Sequence, residues 1–189
     1  MSTKAKPHIV LISGKQQSGK STAADFLSKH FGFTKVSFAS KLKEIAKELF
    51  PEYLSQPWFK RSTLIKIGQY MRDIDENVWV NQVIKEIREL NGWEGQTLFV
   101  IDDWRFPNEY EVLCNWVGKD NVHTIRLFRA KHLRQRYPKY VEEAEFDISE
   151  TALDTFNEFD DFIVNEDTTK SRLYAHLTAT ITKWGLIKE

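Results

Sequence analysis

The stretch from Ser13 to Thr22 reads SGKQQSGKST, and its glycines, Gly14 and Gly19, bracket four residues that carry side chains, Lys15, Gln16, Gln17 and Ser18. A flexible linker would hold more glycine, so glycine confined to the two ends marks a shaped backbone. Gly14 to Ser21 satisfies GxxxxGK[ST], the spacing of a phosphate-binding loop. The apolar run HIVLI (8–12) comes just before it, and the residues after it put Ala23, Ala24, Phe26, Leu27 and Phe31 on one side of a helix. Strand, loop and helix in succession constrain this chain more than any other feature. The loop's N–H groups and the helix N-terminus together form a ready cradle for the phosphates of a nucleotide. The spacing sets Lys20 against the β and γ phosphates of ATP and the Ser21 hydroxyl on Mg²⁺. Gly14, Lys15, Gln17, Ser18, Gly19, Lys20, Ser21 and Thr22 are therefore the expected ATP-binding residues. The motif does not fix the Lys15 side chain, which reads first as solvent-facing, while Gln16 and Gln17 fall where a second substrate would approach.

Beyond the loop, the β-branched and aromatic runs TKVSF (34–38), TLFVI (97–101), VHTIRLF (122–128) and FIV (162–164) read as further strands. Helical patterns alternate with them: KLKEIAKELF stopping at Pro51, then 64–74, 78–90, 108–116 and 169–184. This alternation is that of an α/β sheet with right-handed crossovers, whose ligands gather at the C-terminal ends of the strands. At 189 residues, with no repeat and no Gly/Ser or Pro-rich linker, one domain spanning 1–189 is expected.

Lys plus Arg (27) balance Asp plus Glu (27), which argues against a chain that coats nucleic acid or an anionic membrane and points to small, locally held anions. The apolar run before Ser13 is too short for a signal or membrane segment, and the lone Cys114 forms no internal disulfide, so a cytoplasmic protein is expected.

The strand 97–101 ends in Asp102 and Asp103, carboxylates delivered to the sheet edge where one can hold Mg²⁺ directly or through water, unless they cap the turn that follows. The DxxG and NKxD signatures of a GTPase are missing. Two cation clusters remain. Lys41 and Lys43 stand at the start of the second helix, Arg61 before the third and Arg72 at its end; the helix start after SFAS can itself donate to an anion that these side chains would help hold, unless Lys41, Lys43 and Arg61 are simply solvated helix faces. Arg126, Arg129, Lys131, Arg134 and Arg136 run into a charged, weakly apolar excursion that reads either as a lid whose arginines neutralise a transferring phosphoryl group or as an exposed basic helix.

With these residues in view, the chain resembles the deoxynucleoside monophosphate kinase family found in phages, itself similar to animal phosphomevalonate kinases. The resemblance covers about 8–178 and rests on the phosphate loop, SFASKLKEI, RSTLIKIGQYMRDIDENVWV, IDDWRFPNE and SETALDTFNEFDDFIVNED taken in order. It implies a three-layer kinase fold: a five-stranded parallel sheet, helices on both faces, an acceptor-binding helical region at about 40–80 and a small lid at about 129–148. It also implies Mg²⁺-dependent transfer of the ATP γ-phosphoryl to the 5′-phosphate of a deoxynucleoside monophosphate, by a monomer or homodimer. Carried over position by position, Phe38, Ala39, Lys43, Arg61, Gly68, Arg72 and Trp79 would surround the acceptor, with Arg105 and Glu150 beside them. Asp103 joins Ser21 at the metal, Arg129 opens the lid, Lys20, Arg129, Arg134 and Arg136 act on the transferring group, and Asn165 lies near the donor adenine. The chain departs from the family pattern at Lys41, Lys66 and Asp147. Glu150, after Ser149, also reads as a helix-start residue favoured by capping alone. Phe38 and Trp79 favour a planar base as acceptor. The alternatives are a kinase for a ribonucleoside monophosphate or phosphomevalonate, and a nucleic-acid-stimulated ATPase using KHLRQRYPKYV as a basic, tyrosine-bearing stripe.

Overall fold

The computed structural model describes residues 5–54, 57–129, 148–165 and 170–188, without the side chains of 53–54, 57–60 and 93–94. Most of the expected lid, with Lys131, Arg134, Arg136 and Asp147, lies outside the described residues.

Strand β1 (His8–Ser13) is buried along nearly its whole length, which its unbroken apolar run requires of a strand covered on both faces. It is followed by α1 (Lys20–Phe31), β2 (Thr34–Val36), α2 (Ala39–Leu49), α3 (Pro51–Leu54), α4 (Pro57–Ile74), α5 (Val78–Glu94), β3 (Leu98–Ile101), α6 (Pro107–Val117), β4 (Val122–Phe128), α7 (Ile148–Thr151), β5 (Asp161–Val164) and α8 (Ser171–Lys183). The five strands form one parallel sheet in the order β2-β3-β1-β4-β5. From β1 the chain steps outward to β2 and back to β3, then crosses to the other side of β1 for β4. The strand order therefore reverses around β1, and the crevice at its C-terminal end is where such a sheet opens to a ligand.

Alternate residues of β1 feed two cores. Ile9 and Leu11 pack with Phe99, Ile101, Ile87, Leu113 and Trp104 under α2, α5 and α6. Val10 and Ile12 pack with Ala23, Leu27, Leu173, Leu177 and Ile181 under α1 and α8. Burying side chains on both faces is what commits the sheet to three layers.

The element plan expected from the periodicities is observed, with two differences in the helical region. Pro51 opens α3 as well as ending the preceding helix, and α4 begins at Pro57 where the apolar period alone suggested Leu64. Both follow from proline's tolerance at the first helical position, where its missing N–H has no partner to lose.

Candidate active site at the phosphate loop

The loop after β1 is held in a backbone shape that the sequence permits only with glycine at both ends. Gly14 has φ 152°, and a Cβ there would stand 2.4 Å from the Leu127 carbonyl oxygen. Gly19 has φ 104°, and a Cβ there would meet Asn165 Nδ2 at 2.5 Å. Between them Gln17 adopts φ 61°, a left-handed conformation that non-glycine residues enter rarely and that clusters at ligand sites. Ser18 is buried, and its hydroxyl has no hydrogen-bond partner. An orphaned buried hydroxyl beside a left-handed turn at a helix N-terminus suits an anion's oxygens.

Lys20 opens α1 and folds back over the loop, donating from Nζ to the carbonyl oxygens of Gly14 (2.7 Å) and Lys15 (2.9 Å). Burial, reinforced by the nearby Arg105 charge, lowers its pKa from 10.5 to about 8, against opposing attraction from Glu150 and Asp102. A buried ammonium satisfied only by carbonyls gains most from an arriving phosphate. Asn165, expected near the adenine, is buried against the loop and donates from Nδ2 to the Ser18 carbonyl oxygen at 2.9 Å.

The two aspartates after β3 part company. Asp103 accepts from Ser37 Oγ (2.6 Å), Phe38 N (3.1 Å) and Ala39 N (3.0 Å), so both of its oxygens serve the start of α2. The donors expected to await a substrate anion after SFAS are thus occupied by the chain's own carboxylate. Asp102 is the carboxylate left on the side of the phosphate loop. It follows Ile101, the register partner of Leu11, bears on Lys20 electrostatically and stands 3.9 Å from Lys35.

Several expected acceptor residues have packing or ion-pair partners within the fold. Phe38 and Trp79 are core residues, 4% and 3% exposed, and Trp79 Nε1 donates to the Gly68 carbonyl oxygen at 3.2 Å. Their rings are consumed by packing of α2, α4 and α5 and present no platform for a base. Lys43 is exposed on α2, and Lys41 pairs with Glu44 one turn on, as a solvated face would. Arg72 lies over the Phe106 ring at 4.2 Å, and Gly68 is buried against it and Leu42. Arg129 follows β4 and is half-buried.

Arg61 and Arg105 do come together, and the residue joining them is Glu150. Its buried carboxylate takes Arg105 NH1 at 2.6 Å and Arg61 NH2 at 3.2 Å, a role that capping the start of α7 does not describe. Lys15 keeps part of its side chain in solvent but is tied down: Nζ donates to the Glu150 carbonyl oxygen and to Asp154 Oδ2, both at 2.6 Å. Asp154 also takes Arg126 NH2 at 2.7 Å, while Arg126 NH1 donates to Ser13 Oγ at 2.8 Å. Sequence reading grouped Arg126 with the excursion after β4; it is buried inside the strand. Its visible signal was a lone charge in the apolar run VHTIRLF, and that of Asp154 was the LD of SETALD. No group of three or more His, Cys, Asp or Glu among the described residues could hold a metal by itself.

The sequence matches no protein-family model and no curated protein. Solved structures are similar in fold. A thymidylate kinase from Candida albicans is 16% identical, with 96% of this chain and 93% of that one covered and a TM-score of 0.56. A shikimate kinase from Acinetobacter baumannii, in complex with shikimate, is 14% identical over 95% of each chain, with a TM-score of 0.52. A dephospho-CoA kinase from Campylobacter jejuni is 13% identical, with 95% and 98% covered and a TM-score of 0.51. This chain has the P-loop kinase fold. From here the loop at 14–21 is called the P-loop.

Proposed function

We propose that the chain is a small-molecule kinase that moves the γ-phosphoryl of ATP to the 5′-phosphate of a deoxynucleoside monophosphate, giving the diphosphate and ADP. The observation that carries this reading is a second cationic site beside the first. Arg61 and Arg105 converge on Glu150, within electrostatic reach of Lys20 and hydrogen-bonded through Glu150 to Lys15 of the P-loop. A nucleotide hydrolase needs one phosphate site; a kinase acting on a phosphorylated acceptor needs two that adjoin. The acceptor is already an anion, so the chain's task is alignment and charge neutralisation with no covalent intermediate.

In this reading Lys20 leaves the Gly14 and Lys15 carbonyls for the donor phosphates, and Ser18 Oγ and the loop N–H groups supply further donors. Arg61, Arg105 and Arg72 hold the acceptor phosphate. The donor set fits Mg²⁺, which takes hard oxygen ligands and keeps waters and phosphates in its shell. Ser21 and Asp102 would hold it, Asp103 being spent on α2. When bound, the metal would neutralise the β and γ phosphates. Arg129, with Arg134 and Arg136, is proposed to cover the transferring group from the segment after β4.

Burial of Phe38 and Trp79 takes away the rings that favoured a planar base, so a kinase for another phosphorylated small molecule is the second reading. The partners proposed are small-molecule nucleotides in the cytoplasm, with no nucleic acid or membrane; among the described residues no helix is long and apolar enough to cross a membrane. The test is Mg²⁺ and ATP with each deoxynucleoside and ribonucleoside monophosphate and with mevalonate 5-phosphate, scoring the phosphorylated product. Arg72→Ala should raise the KM for the acceptor more than it lowers kcat.

A further inference from the structure

The segment from α7 to Asp154 carries two carboxylates, Glu150 and Asp154, and between them they contact four cations drawn from four separate parts of the chain. Lys15 belongs to the P-loop, Arg126 to β4, Arg61 to α4 and Arg105 to the loop before α6. The ion pairs divide by site: Asp154 serves the donor side, through Lys15 and through Arg126, whose other nitrogen holds Ser13 next to the P-loop. Glu150 serves the acceptor side with its side chain. Its own carbonyl oxygen, however, takes Lys15 Nζ at 2.6 Å. One residue therefore spans the two sites, bonded to the P-loop through its backbone and to both arginines through its carboxylate.

We infer that Glu150 is a positioning residue that couples occupancy of the P-loop to the readiness of Arg61 and Arg105. Lys15 is a half-exposed cation in the P-loop itself, and triphosphate there competes with Asp154 and the Glu150 carbonyl for its ammonium. Releasing or re-aiming Lys15 removes one of the bonds that set α7. Because the Glu150 carboxylate is 2% exposed and joined to two guanidinium groups, it has no solvent to turn to, and a shift of α7 carries the arginines with it. Among the described residues this cluster sets two carboxylates against four cations, so substrate phosphates would meet an excess of positive charge. Linkage makes the coupling reciprocal: an acceptor phosphate that takes Arg61 and Arg105 from Glu150 alters the affinity of the P-loop for triphosphate by the same factor.

This inference rests on the two-site reading above, but its test uses no acceptor. Hydrogen exchange is followed in peptides covering Arg61 to Gln69 of α4, with and without Mg²⁺ and the non-hydrolysable analogue AMP-PNP at saturation. In the wild-type protein the analogue should change exchange in α4 by about threefold or more. Lys15→Met, saturated with analogue as judged by protection of its own P-loop, should show no change in α4, and Lys15→Arg should restore it. Where Lys15→Met does not bind the analogue, Glu150→Gln carries the test: the P-loop becomes protected and α4 does not respond. An α4 that responds equally in the wild type and in the analogue-bound variant overturns the coupling, as does a wild-type α4 that does not respond at all. The kinase reading fails separately, when no acceptor in the panel above is phosphorylated.

Discussion

Two parts of the proposed site are closed in different ways: Lys20 by near neighbours, and the cluster around Glu150, which includes Lys15 of the P-loop, by distant ones. Lys20 finds its partners five and six residues back, inside its own loop. Arg61 meets Glu150 across 89 residues, and Lys15 meets the Glu150 carbonyl across 135. A site closed by local bonds is specified wherever its short motif occurs. A site closed by long-range ion pairs exists only once the sheet has brought its strands' ends together, so it is as secure as the fold around it and no more.

Changes in each half sharpen that contrast. The largest effect belongs to Lys20→Ala, which should lower turnover by about 10³-fold or more while the fold persists, since its bonds are local and its burial as a charge is itself unfavourable; activity assays alongside far-UV circular dichroism check both parts. Gly14→Ala comes next. The new Cβ would press on the Leu127 backbone at 2.4 Å as well as on the Ser18 hydroxyl, so nucleotide binding should be lost, and stability should fall by about 1–3 kcal/mol in denaturant titration.

The paired aspartates divide the halves more finely. Asp103→Ala strips the α2 start of three bonds and should cost about 1–3 kcal/mol. Asp102→Ala should leave stability nearly unchanged and depress turnover, with a raised Mg²⁺ requirement.

Titration comes last and acts most gently, separating Lys20 from Glu109, a buried carboxylate that braces the backbone at Arg105. Lys20 titrates near 8 in the fold against 10.5 ordinarily, so between those values the unfolded chain holds a proton that the folded one has lost. Ligand-free stability should therefore gain from Lys20 as pH rises through that window, and Lys20→Met should lack the gain. Glu109 runs the other way. Burial raises its pKa from 4.5 to about 8, although Oε2 accepts from the backbone N–H of Arg105 and of Phe106. Its contribution is complete below about 4.5 and is lost as pH rises through about 8, so Glu109→Gln should flatten the wild-type decline in that range.

What the residues alone disclose follows the same division. Short β-branched and aromatic runs located the five strands, and period-3.6 patterns the main helices, because the central strands are buried on both faces and each main helix on one. The P-loop was legible because its chemistry lies within eight residues. Arg126 was misplaced because a charge that ends a strand and a charge buried within it look alike until Ser13 and Asp154 are brought beside it. Phe38 and Trp79 were taken for substrate platforms because an aromatic at a helix start gives no sign of which side the core will claim. Asp102 and Asp103 are adjacent in sequence, and only the position of α2 tells the cap from the carboxylate left beside the P-loop.

If two phosphate sites adjoin at the end of β1, as proposed, phosphoryl transfer reveals it most directly. Purified protein with ATP, Mg²⁺ and each deoxynucleoside monophosphate in turn is predicted to form the matching diphosphate and ADP in equal amounts. Release of ADP and inorganic phosphate at one rate, whichever monophosphate or other phosphorylated acceptor is present, and with no phosphorylated acceptor formed, would contradict it.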